Sequence, residues 1–369
     1  MASTSKAAAT KSTLTPSMTL KGHEHNIRSI SYFPDGQQMI SGSHDCTARQ
    51  WDLKTGKEIE EAWDVHDHVV EVAVSNDSRW VVIAGGDFDS GELKVFEVQT
   101  GIVKELQGHE DKINGIDISV DNTLLASGSW DETARIWNLE TGKLVAGPFE
   151  SEDSVGSVRF STDSKKLALK SDAGTCLEVW DVESQKLDVS VGGRFDDSDP
   201  SYPYTTIFWT NKNKNILAAF TFTENDAVKT VYEFDALTLK TVGTPFKGHT
   251  DNITGLTLSF DGALLVSASD DNTIKLWAFM SRQLLASFDV QNPFALALSP
   301  DLRKLAYTTC TKQEIWQKPK DHEICICDIP PDILAQAQAH VRNPRKHPLF
   351  VCQQFLTDHS AQKASSGLH

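Results

Sequence analysis

Cysteine is scarce and unpatterned in this chain. Six occur among 369 residues, at 46, 176, 310, 325, 327 and 352, and no two form a C-x-x-C pair. No disulfide framework is visible, and zinc loses its usual ligand spacing. Cys325 and Cys327 fall two apart on an expected strand, as core residues do. Long hydrophobic runs are missing, so no spanning helix is expected. The opening MASTSKAAATKSTLTPS lacks an apolar stretch and does not read as a signal peptide. A reducing compartment, cytoplasm or nucleus, is therefore expected. Excess basic charge is missing too. Against 35 Lys and Arg stand 51 Asp and Glu, a net charge of -16, so neither nucleic acid nor membrane is an expected partner. There is no phosphate loop, dinucleotide fingerprint, H-E-x-x-H or G-x-S-x-G elbow, and no catalytic residue, metal or cofactor is assigned.

What the chain does have is repetition. At 39% hydrophobic it can bury a large interior, yet it is too long for one ordinary core and has no compositional break. An aromatic, an acid or amide and an apolar residue recur as Trp51-Asp52-Leu53, Phe96-Glu97-Val98, Trp137-Asn138-Leu139, Trp180-Asp181-Val182 and Phe234-Asp235-Ala236. Trp277-Ala278-Phe279 and Cys327-Asp328-Ile329 are degenerate copies; the six steps are 45, 41, 43, 54, 43 and 50 residues. Turns built on Asp35, Asp77, Asp121, Asp163, Asp261 and Asp301 lie upstream, because Asp bonds its own nearby backbone. Asn211-Lys212-Asn213 supplies the missing seventh. In the third unit, strands are expected at 113–119, 124–129, 134–139 and 143–148. Four strands in about 43 residues is the period of a propeller blade.

Three units share one spacing: Gly22-His23, Ser41, Asp45, Trp51; Gly108-His109, Ser127, Asp131, Trp137; Gly248-His249, Ser267, Asp271, Trp277. From His the steps are 18, 22 and 28 in each. These residues resemble the WD-repeat (β-transducin-like) family over roughly residues 14–330. The resemblance implies an all-β, seven-bladed propeller of four-stranded antiparallel blades, with the four residues hydrogen-bonded inside a blade. A buried indole, hydroxyl, imidazole and carboxylate are stable only when mutually satisfied. The Ser-His-Asp set would suit a hydrolase, but threefold recurrence with Ser inside a strand favours the structural role. The second unit has His66, Ala84 and Phe96 instead; the fourth keeps Trp180 with Ser151 near the His position; the fifth and seventh lack the set.

Pro330-Pro331 stops a fourth strand in the last unit, so the family solution, an N-terminal strand at 14–21, is expected to close the ring. A short helix is expected over 331–342, with Ile333, Ala337 and Val341 on one face, reading first as docked on the flank and otherwise as a site that recruits a partner. Residues 1–13 and 357–369 read as disordered, and 331–369 as helix and tail. Long insertions fall on the top rim at 192–204, 311–322 (with Trp316) and 86–92; the first reads equally as functional and as disordered. The family places His44, Trp130 and Asp270 on that rim, with Asn26, Arg28, Lys112, Asn114, Asn252 and Thr254. Trp130 reads either as an interface anchor or as a ring stacked on a neighbouring loop. Arg28 and Lys112 would meet an acidic or carbonyl-rich segment. The expected role is a non-catalytic scaffold or adaptor that binds other proteins or peptides, monomeric alone and assembled into a larger complex. Two alternatives stand beside it: a substrate receptor of a cullin-type ubiquitin ligase, from Trp51-Asp52-Leu53-Lys54, and a propeller enzyme acting at the central channel.

Overall fold

The computed structural model describes residues 14–339 except 60–61, 66, 88, 195–204, 224–225 and 310–321. Seven antiparallel sheets follow one another in chain order. The third is Ile113–Ile118, Leu124–Ser129, Thr133–Asn138 and Leu144–Glu150, close to the expected bounds. In the first blade the outer strand is split, and both Lys57–Glu58 and Trp63–Asp64 pair with Thr47–Asp52. The fifth has a short innermost strand, Phe208–Thr210. The expected loop at 86–92 is instead a hairpin extension: Trp80–Asp87 and Ser90–Glu97 stay paired to Asp87↔Ser90. Of the other two insertions, 195–204 and 311–321 lie outside the described residues, as do Trp316, His66 and Val341.

Burial explains why the blades form a ring. Among the described residues seven hydrophobic clusters form, and each fills the gap between two adjacent blades. Successive strand residues face opposite gaps: Leu125 enters the core between blades 2 and 3, Ala126 the one between 3 and 4. No blade can bury both faces alone, so each depends on two neighbours. Three anchor rings also meet an aromatic side chain from the preceding blade's outer strand. Trp180 packs on Phe149 at 5.6 Å, Trp277 on Phe246 at 5.8 Å and Phe96 on Trp63 at 5.0 Å.

Closure follows the same rule. Met18–His23 pairs antiparallel with His322–Asp328 and completes the seventh blade. Its Leu20 is buried in the core shared by blades 7 and 1. Past the ring, helix α1 (Pro331–Ala339) packs on the flank, with Ile333 and Ala337 buried in the core between blades 6 and 7. Gln338 Nε2 donates to Asp261 Oδ2 at 3.3 Å.

The Asp turns carry a second residue that sequence reading overlooked. Ser75, Ser119, Ser161, Ser259 and Ser299 each donate to the Asp two positions on, at 2.5–2.7 Å. The same hydroxyls accept the backbone N–H five residues ahead at 2.8–2.9 Å. One Ser therefore locks the turn to the strand that follows. A Ser-x-Asp pattern was the available signal.

Candidate functional site

The three four-residue sets form continuous chains. In blade 1, Trp51 Nε1 donates to Ser41 Oγ at 2.8 Å, Ser41 Oγ lies 2.7 Å from His23 Nε2, and His23 Nδ1 donates to Asp45 Oδ2 at 2.8 Å. Blades 3 and 6 repeat this within 0.2 Å. With a neutral imidazole every donor finds an acceptor: indole to hydroxyl, hydroxyl to Nε2, Nδ1–H to carboxylate. Thr47, Thr133 and Thr273 add a hydroxyl bond to each Asp. Against the penalty of burial, the His and Thr bonds hold Asp131 down at about 2 and push Asp45 and Asp271 lower still. The Gly before each His has a steric reason. A Cβ on Gly22, Gly108 or Gly248 would stand 3.2, 3.2 or 2.9 Å from the indole edge of Trp51, Trp137 or Trp277. Ser41, Ser127 and Ser267 are fully buried, so no substrate reaches them in this arrangement.

Where the set is lost, other pairs stand in. Trp180 Nε1 donates to Glu178 Oε2 at 2.8 Å. In blade 5, Glu233 accepts from Thr210 and Asn215 and pairs with Arg282 of blade 6. Acids do converge on the innermost strands, but as staples between blades. Glu71 Oε2 accepts Ile116 N–H at 2.7 Å; Asp117 accepts Phe160 N–H at 2.7 Å and Arg159 Nη1 at 2.8 Å. Crowding by the channel walls pushes Glu71 up to about 8 and raises Asp117.

At the top rim the family positions are stitched in pairs. His44 N–H donates to Asn26 O, Trp130 N–H to Lys112 O and Asp270 N–H to Asn252 O, at 2.9–3.0 Å. Between blades 1 and 7, Arg28 lies over the Phe294 ring at 4.3 Å, and within blade 3 Lys112 lies over Trp130 at 4.0 Å. Half-buried Trp130 donates its Nε1–H to Asp172 Oδ2 of blade 4 at 3.0 Å. Burial, then Arg28 and the neighbouring histidines, push His44 down to about 3, so its imidazole is neutral. Arg28 and His44 of blade 1 and Lys112 and Trp130 of blade 3 thus form one cluster, while Asp270, Asn252 and Thr254 sit on blade 6. Asn114 and Thr254 are buried rather than exposed on the rim: Thr254 Oγ1 donates to Pro293 O at 2.6 Å. Both lie at strand bulges near the start of the innermost strand.

Sequence reasoning missed several rim residues. Asp172 occupies the Trp130 position of blade 4, and its carboxyl is raised to about 7 by burial. His322, His25, His44 and His68 run in sequence along the rim, with ring centroids 5.8, 6.0 and 4.8 Å apart. Among the described residues no cluster of His, Cys, Asp or Glu is arranged to hold a metal, and no helix is long and apolar enough to cross a membrane.

This geometry, seven four-stranded blades stitched by repeated Trp-Ser-His-Asp chains, defines a WD-repeat β-propeller, and the chain belongs to that family. The family model "WD domain, G-beta repeat" matches residues 14–52, 101–138 and 239–278, the three blades that carry the full set. Periodic tryptophan protein 2 of Arabidopsis thaliana is 31% identical over 48% of this chain and 20% of its own length. Eukaryotic translation initiation factor 3 subunit I of Bombyx mori is 30% identical over 53% of this chain and 59% of its own. The chain thus spans about a fifth of the first relative and under two thirds of the second. Among solved structures, that of U3-55K superposes with a TM-score of 0.68 at 17% identity, covering 84% of this chain and 98% of the other, a likeness of fold.

Proposed function

We propose that this protein is a non-catalytic scaffold or adaptor that grips partner proteins or peptides on the top rim of the propeller. The observation that carries this reading is the cluster of Arg28 and His44 of blade 1 with Lys112 and Trp130 of blade 3, brought to one place. The chemistry-bearing residues elsewhere are consumed by structure: the Ser-His-Asp chains lie inside blades, and the channel acids bind backbone N–H groups. On this reading the chain is monomeric alone and works inside a larger assembly, and a relative named as a subunit of an initiation factor fits the assembly half of it. The compartment that suits it is cytoplasm or nucleus. Asp52 closes a tight turn onto Lys54 and Thr55 N–H, which gives the Trp51–Lys54 segment a structural task without a ubiquitin-ligase adaptor.

The test is affinity capture from native lysate with wild type and a Trp130→Ala/Arg28→Glu double variant of matching circular dichroism. Partners retained by wild type and lost by the variant are expected. An identical partner set for both forms would remove the rim from consideration and turn attention to the flank carrying α1.

A further inference from the structure

Six of the seven blades share an irregularity at the same place. The register of the innermost strand slips near its start, between Ile27 and Ser29, Val69 and Glu71, Ile113 and Gly115, Val155 and Ser157, Ile253 and Gly255, and Pro293 and Leu296. A bulge lifts one residue out of the alternation and re-aims its side chain. These strands begin at the top face, so the bulges set a ring of side chains around the upper end of the channel. The backbone plan is constant while the residues differ: Arg28, Val70, Asn114, Gly156, Thr254 and Phe294. Neighbours in the ring meet, as the Arg28–Phe294 stacking demonstrates.

Two members carry chemistry that a ligand can use. Asn114 is 2% exposed, and neither its Oδ1 nor its Nδ2 has a hydrogen-bond partner among the described residues. An orphaned buried amide is costly, and a native structure tolerates few. Its donor and acceptor together match one partner well, the N–H and C=O of a peptide main chain. Arg28, held flat by Phe294, is the residue type that reads carboxylates in its plane. Burial and then the nearby Arg28 guanidinium lower the pKa of Lys112, and Lys170 of blade 4 is buried beside Asp172. Asp172 Oδ1 is also without a partner. Asp87 and Asp111 lie near Lys112 and confine the positive zone to a spot. On a chain of net charge -16 that spot suits one or two carboxylates and not a polyanion.

We propose that the bulge ring is the specificity-determining part of the rim, taking a peptide with an acidic side chain: Arg28 binds the carboxylate and Asn114 binds the adjoining main-chain amide. This rests on the rim reading above and names its ligand class.

The probe is a display library of random dodecapeptides selected on the full chain, with the enriched peptides then synthesised and measured by fluorescence anisotropy. Enriched sequences are expected to carry an excess of Asp or Glu. Arg28→Glu should weaken them at least tenfold, and Glu→Gln in the peptide should cost the same factor and cost little more on that variant. Asn114→Ala should weaken all binders several-fold while its melting temperature stays level or rises, because an orphaned amide has been removed. A residue with a merely structural role would lower the melting temperature instead. If the enriched peptides show no acidic excess but still depend on Trp130, the acid preference is overturned and the rim reading stands. If nothing is enriched, or every variant binds alike, both fall.

Discussion

At the residue scale the protein is held by short hydrogen-bonded chains whose members stabilise one another and would each be costly alone. Ser127 illustrates this, since its one oxygen serves both Trp137 Nε1 and His109 Nε2. Ser127→Ala leaves two buried nitrogens without partners and should cost about 3 kcal/mol. Denaturant unfolding checks this, and a loss below about 0.5 kcal/mol would mean the chain is dispensable. Titration acts in two directions. Asp131, held at about 2 against an ordinary 3.8, contributes stability present above 3.8 and lost as pH falls through 2. Glu71 behaves oppositely. Its folded carboxyl titrates near 8 against an ordinary 4.5, so its contribution is complete below 4.5 and is lost as pH rises to 8. Glu71→Gln keeps an acceptor for Ile116 N–H and removes the charge. Its stability relative to wild type should therefore grow between pH 5 and pH 8, by about 2 kcal/mol after allowing for partial solvation of the channel wall. Melting curves at the two pH values decide, and a constant difference refutes the assignment.

At the element scale the decisive strand is the one farthest in sequence from its partner. Met18–His23 hydrogen-bonds His322–Asp328, and Ser17 Oγ reaches Ile326 O across 309 residues. Removing residues 1–21 would expose the edge of the last blade and open the core that Leu20 helps to fill. A fall in melting temperature of at least about 10 °C, or failure to fold, is expected. An unchanged melting temperature would refute the closure. The strands themselves were legible because their ends are marked chemically: Asp and Gly turns, the anchor aromatic, the Gly beside His. The hairpin tip at 86–92 reads as a loop in the sequence, because Gly86, Asp87, Ser90 and Gly91 look like turn residues. In the fold these glycines allow close backbone approach: a Cβ on Gly86 would lie 1.9 Å from Ser90 O. The bulges carried no local signal at all, since they arise where twisted strands crowd around the channel.

At the scale of the whole molecule, stability is distributed over seven gap cores, and function is assigned to the one end where blades with different residues converge. The repeat spacing, the three His-Ser-Asp-Trp sets and the ring closure could be read from the chain, because each is a local pattern repeated or a constraint on leftover edges. That Trp130 would rest under Lys112 and bond Asp172, that Asn114 would be buried with no partner, and that Glu71 would staple blade 2 to blade 3 could not. The Trp130–Asp172 and Glu71–Ile116 contacts join residues on different blades, dozens of positions apart and without shared spacing. The sequence by itself determined the fold through short-range periodicity and the need to bury both faces of every blade. Only the tertiary structure decided which side chains share the mouth of the channel, because packing around a closed ring sets neighbours that no local pattern encodes.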